Sequence, residues 1–197
     1  MQLVKEYINE KFTEDSDPVH DMNIGIKPLM EKWLKQHNIA NYVIKDDLTI
    51  DVQNNLQLID LKESSLPEYI NFGYVYGKLE CLNNNFTTMR GFPKKIGRFA
   101  NINYNKKLRS LEFLPQEIMI NDTNYKYTYG YGLLNNNIKS FVGLPEIIAG
   151  SLWIQKNPVN SLEGFPKIIK GNLWIDHRFS LKQITDICQV NGNINLV

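Results

Sequence analysis

Gly150, Gly171 and Gly192 precede the words SLWI, NLWI and NINL at a constant spacing of 21 residues. A short fixed period constrains a fold more than any composition does. A unit of that size cannot bury its own apolar edge, so units must stack into one continuous core. Read backward, Gly77 introduces KLECL and Arg98 stands 21 residues later before FANI. From Arg98 to Gly150 is 52 residues, two periods plus an insertion of 10, which places an intervening anchor at Tyr129.

A second landmark keeps the same register. Seven residues after each anchor stand Asn84, Asn105, Asn136 and Asn157, each followed by an apolar, Ser or Thr, apolar run. The triplets GFP (91–93), FLP (113–115), GLP (143–145) and GFP (164–166) come next. Each unit therefore reads as a short strand, an asparagine corner, a second apolar ledge and a proline-initiated return. Proline fixes its own φ and donates no hydrogen bond, which suits an irregular outer side. An asparagine amide can bond backbone groups exposed where a strand ends, and stacked asparagines would form a ladder.

Alternation along the strand assigns directions. The second and fourth residues after each anchor point inward: Leu79 and Cys81, Leu152 and Ile154, Leu173 and Ile175, Ile194 and Leu196. The third points outward and lines up Glu80, Asn101, Gly132, Trp153, Trp174 and Asn195. The fifth gives Leu82, Asn103, Leu134, Gln155 and Asp176. Adjacent strands lie about 4.8 Å apart, so Trp153 and Trp174 are expected as direct neighbours on a polar face.

The pattern LxxLxxNxLxSLxGxP resembles leucine-rich repeats, in the short, Asn-rich, GxP-bearing form that is similar to proteins of tailed bacteriophages and of some AT-rich bacteria. The expected fold is α+β: a leucine-rich-repeat-like solenoid of about five to six 21-residue units, with parallel short strands and an irregular convex side. Residues 41–197 form the solenoid, with residues 41–70 resembling that family's leading β-hairpin and an insertion near 121–132. The resemblance implies a recognition surface and no catalytic residues. Arg98 in place of the anchor glycine, the insertion, and a last unit without the asparagine depart from the pattern. In that last unit Leu181, Ile184 and Ile187 or Cys188 have helical spacing after Ser180, a candidate N-cap before the final strand GNINL.

Residues 1–40 follow a different pattern. Val4, Tyr7, Ile8 and Phe12 share one helical face, Ile26, Leu29, Met30, Trp33 and Leu34 another, and "TEDSDPVHDMNIG" between them is acidic and turn-rich. The expectation is an N-terminal helical cap on the first open end of the stack. "VKEYINEKF" is similar to targeting peptides of internal head proteins of large tailed phages, clipped after a triplet such as Ile8-Asn9-Glu10, which implies a packaged virion protein as an alternative.

Chemistry-bearing patterns are sparse. His20, His37 and His177 fall in different segments, outside nucleophile or metal-ligand spacing, and no glycine run continues as a phosphate loop. A catalytic role, a bound metal and a cofactor are therefore not expected. Lys plus Arg number 22 against 21 for Asp plus Glu, so no global field attracts nucleic acid or an anionic membrane. The two cysteines, Cys81 and Cys188, read as reduced thiols of an intracellular protein. No apolar run reaches membrane-spanning length.

What remains is surface. Trp153 and Trp174, with Asn101 and Glu80 in the same outward column, are the expected partner-binding residues, joined by Tyr125, Tyr127, Tyr129 and Tyr131 of the insertion. Tryptophan and tyrosine are enriched where binding energy concentrates. The expected partner is a host or phage protein met in the host cytoplasm. The phage-type resemblance implies inhibition of a host process, such as a CRISPR effector nuclease. A further alternative is single-stranded nucleic acid, held by a basic line of Lys94, Lys95, Arg98, Lys106, Lys107 and Arg109.

Overall fold

The computed structural model describes residues 18–119 and 129–197, with side chains from residue 25 onward. Helix α1 (Pro18–Gln36) leads into an antiparallel hairpin of β1 (Tyr42–Ile44) and β2 (Ile50–Val52). Each later turn contributes a face strand and a return strand: β3 (Leu56–Ile59) and β4 (Phe72–Val75), β5 (Leu79–Leu82) and β6 (Lys95–Ile96), β7 (Phe99–Asn101) and β8 (Glu117–Ile118). Then follow β9 (Gly130–Gly132) and β10 (Ile147–Ile148), β11 (Ser151–Trp153) and β12 (Ile168–Ile169), and β13 (Leu173–Ile175). A short helix α2 (Leu181–Thr185), β14 (Gln189–Val190) and β15 (Ile194–Leu196) complete the order.

The face strands form one seven-stranded sheet in the order β15-β13-β11-β9-β7-β5-β3, parallel throughout. The return strands form a second layer that divides between β8 and β10, where the insertion enters. This is a β-solenoid of about seven turns, more than the five to six expected. The additional turn is built on β3, whose Leu56 pairs with Leu79, so its repeat to the next turn is 23 residues. With a longer repeat and no anchor glycine, that turn was hidden in the leading segment. A second departure concerns the acidic stretch before residue 26, which is helical from Pro18 onward. The ten extra residues also divide unequally. Pro115 and Tyr129 are 14 positions apart, where the neighbouring units have 5 between proline and anchor, so nine enter there and one enters the ledge after Asn105.

The core lies between the layers and follows the expected alternation. Leu79, Cys81, Ala100, Ile102, Leu133, Leu152, Ile154, Leu173 and Ile175 are buried, and so are Phe86, Met89, Leu108, Leu111, Ile138 and Phe141 of the second ledge. Each fully buried Leu or Ile contributes about 1.5–3 kcal/mol relative to exposure, and every turn supplies several. Leu196 is 40% exposed because β15 has a strand neighbour on one side only.

The asparagine corner is a hydrogen-bonded ladder. Asn84 Oδ1 accepts from Leu61 N, Asn105 Oδ1 from Asn84 N, Asn136 Oδ1 from Asn105 N and Asn157 Oδ1 from Ile138 N, at 2.7–3.2 Å. Their amide nitrogens donate to Leu58, Cys81, Ile102 and Leu133 carbonyls of the preceding turn. In the last turn Arg178 takes the asparagine position and donates to Val159 O at 3.2 Å. Just before this corner the chain turns through left-handed φ in five successive turns, at Asp60, Asn83, Tyr104, Asn135 and Lys156.

Helix α1 packs its Met30, Trp33 and Leu34 into the core at the β3 end, with Trp33 tilted against Phe72 at 6.5 Å. Ser180 caps α2 with its hydroxyl on Gln183 N, and Gln183 reciprocates to Ser180 N, a full capping box.

Candidate functional site

In-register pairing puts Glu80, Asn101, Gly132, Trp153, Trp174 and Asn195 side by side across the seven-stranded face. Strand spacing then sets the ring spacing. Trp153 and Trp174 stack with centroids 4.5 Å apart and planes within 9°. Because they stack along the direction in which strands succeed one another, both indoles turn their edges to solvent and remain half-buried.

A third aromatic joins them from two strands away. Phe99 meets Trp153 edge to face, centroids 5.4 Å apart at 77°. The strand between, β9, makes this contact possible because Gly130 and Gly132 present no side chains. Gly130 has φ +130°, and a Cβ there would lie 1.8 Å from Ser151 O, so glycine is required. Above Gly132 lean the amides of Asn101 and Asn103, within 3.2–3.3 Å of where a Cβ would be. Asn103 Nδ2 donates to Asn101 Oδ1, and Asn103 Oδ1 accepts from Leu134 N at 2.7 Å. The patch is thus three aromatic rings, of which Phe99 and Trp153 meet across a bare strand, bordered on the β7 side by neutral amides. Beside it Gln155 Oε1 is buried and has no hydrogen-bond donor among the described residues. Asp176 accepts from Lys156 N with both carboxylate oxygens.

The other expected residues divide. Asn101 borders the patch. Glu80 sits three strands from Trp153 and accepts from Gln57 Nε2 at 2.6 Å. Tyr129 and Tyr131 are buried, 3% and 1% exposed, and do not present a surface. Tyr131 occupies an inward position, fills it with its ring, and donates its hydroxyl to Pro115 O at 2.8 Å; burial raises its pKa. Tyr125 and Tyr127 lie outside the described residues, as do Ile8-Asn9-Glu10 and the first helical face. Phe99 was not anticipated. Its signal lay in the two glycines of "GYG", whose missing side chains open the space its ring crosses.

The six basic residues do not form one line. Lys94 and Lys95 belong to the return side, with Lys95 paired to Glu117 at 2.8 Å. Arg98 sits at the corner between β6 and β7, and Lys106, Lys107 and Arg109 follow the asparagine corner, where Lys106 Nζ donates to Asn135 Oδ1. Among the described residues no group of three His, Cys, Asp or Glu is placed to hold a metal ion, and no helix is long and apolar enough to cross a membrane. Among the described ring contacts Trp153 and Trp174 meet Phe99 and each other, whereas Trp33 of α1 meets His37 and Phe72.

No protein-family model matches this chain, and neither a curated protein nor a solved structure matches it.

Proposed function

We propose that this protein is a non-enzymatic recognition solenoid of the leucine-rich-repeat type that grips a partner protein through the Phe99, Trp153 and Trp174 patch. The observation that carries this reading is the stacked indole pair on a face bordered on its β7 side by uncharged amides. Large rigid aromatics deliver contact area at small entropic cost, and neutral amides adapt to backbone groups of a partner without a large desolvation penalty. The finer form, a phage-encoded inhibitor of a host defence protein, is supported by the repeat resemblance and by the absence of any expected catalytic motif in the sequence.

The test is affinity purification from a lysate of the natural host, read by mass spectrometry. The Trp153→Ala, Trp174→Ala double variant is expected to keep the circular dichroism spectrum of the parent and to lose the captured protein. Equal capture by parent and double variant sinks the assignment of the patch.

A further inference from the structure

A groove of about 750 Å³ lies away from the tryptophan face, where the corners that carry the GxP triplets meet the return strands. Its floor is apolar and buried, with Leu66, Phe92 and Leu114 contributing. Its exposed wall is the ring of Phe113, which is 50% exposed.

The fold itself does not account for Phe113. The equivalent corner residues are Gly91, Gly143 and Gly164, with φ of +83°, +104° and +78°, and Phe113 adopts +65° in the same column. A bulky side chain is disfavoured in the left-handed region where glycine is not. The ring gains little burial in return, so both backbone and solvation favour glycine here. The departure is specific to this column, since the three other turns carry glycine there.

Carboxylates and cations line the groove in equal number and differ in their pairing. Two carboxylates line it, Glu68 and Glu117, and Glu117 is held by Lys95 at 2.8 Å. Arg90 and Lys94 also line it, both are exposed, and among the described residues neither makes an ion pair. An apolar wall flanked by two uncommitted cations complements an apolar side chain carried among carboxylates.

We propose that this groove binds an acidic peptide segment, which lays an apolar side chain against Phe113 and sets carboxylates against Arg90 and Lys94. The site is separate from the tryptophan patch and does not depend on it.

The experiment is fluorescence anisotropy with a fluorescein-labelled peptide of alternating aspartate and leucine. Its lysine and leucine counterpart and a labelled oligothymidine serve as comparisons. The acidic peptide is expected to bind, and to bind more weakly as salt screens the charges. Phe113→Gly should weaken it about tenfold or more while keeping or raising the melting temperature, which separates loss of the wall from loss of the fold. Arg90→Gln with Lys94→Gln should weaken it similarly, and Trp153→Ala with Trp174→Ala should leave it unchanged. The proposal is overturned by no binding of the acidic peptide, by equal binding of the lysine peptide, by tighter binding of oligothymidine, or by undiminished affinity in Phe113→Gly.

Discussion

Asn136 accepts the backbone N–H of Asn105 at 2.7 Å although 31 positions separate them, against 21 between Asn105 and Asn84. The corner ladder thus passes through the turn that carries the insertion without losing a rung. Each rung satisfies backbone groups that strand pairing leaves bare, and in a buried corner an unmet donor costs far more than a met one gains. Asn105→Ala removes the acceptor for Asn84 N and the donors to Cys81 O and Asn103 O. The expected loss is about 2–4 kcal/mol, read as a lower urea midpoint at unchanged m-value. A loss below about 0.5 kcal/mol would show that the ladder is incidental.

The stacked indoles can be tested as a pair independently of any partner. Trp153→Ala, Trp174→Ala and the double variant form a cycle whose coupling isolates the ring contact. An aromatic pair in this geometry is expected to couple by about 0.5–1.5 kcal/mol. Phe99→Leu should then reduce the emission change that Trp153→Ala produces, since Phe99 packs on Trp153 and not on Trp174 among the ring contacts seen. Additive unfolding free energies across the cycle would contradict the stacked arrangement.

How far the sequence spoke depended on what kind of constraint was involved. Direction along a strand has period two, so one correct anchor assigned Leu79, Cys81, Leu152, Ile154, Leu173 and Ile175 to the core together. The asparagine corner and the Ser180 cap are local and equally readable. Tyr131 was expected at the surface on tyrosine content, but it is second after the Tyr129 anchor and its ring fills that inward position, which a smaller side chain would leave as a cavity. The β3 turn escaped notice because its longer repeat carries no anchor glycine. Phe99 and Trp153 are 54 positions apart and meet only because an intervening strand is bare, a relation no pairwise spacing encodes. Charges close in sequence, from Lys94 to Arg109, fall on different sides of a turn and so lose their apparent continuity.

Gly130 and Gly132 sit two residues apart on one strand and should respond very differently to alanine. At Gly130 the methyl would strike a backbone carbonyl in a left-handed conformation that no rotamer change relieves. The expected cost is at least about 3 kcal/mol, combining backbone strain with overpacking. At Gly132 the nearest atoms are ends of the Asn101 and Asn103 side chains, which can shift by a few tenths of an ångström. Gly132→Ala should therefore cost about 1 kcal/mol or less. Comparable melting temperatures for the two variants would argue against the backbone approach of Ser151 to β9.

Both thiols are buried, and desolvation pushes Cys81 up to about 12 and Cys188 up to about 11. In the unfolded chain a thiol ionises near 8.5, roughly. The folded values lie above the unfolded one, so the contribution to stability is fully present below about pH 8.5 and is lost as pH rises toward the folded values, because the unfolded state releases its protons first. The loss amounts to about 1.4 kcal/mol per thiol by about pH 9.5. Urea midpoints of the parent should fall across this alkaline range more steeply than those of Cys81→Ala with Cys188→Ala, in which lysine and tyrosine titration continues unchanged. Ellman's reagent should label the native protein slowly and the urea-unfolded chain at once. Fast labelling of Cys81 in the native state, or parallel alkaline slopes in parent and variant, would place that thiol outside the core.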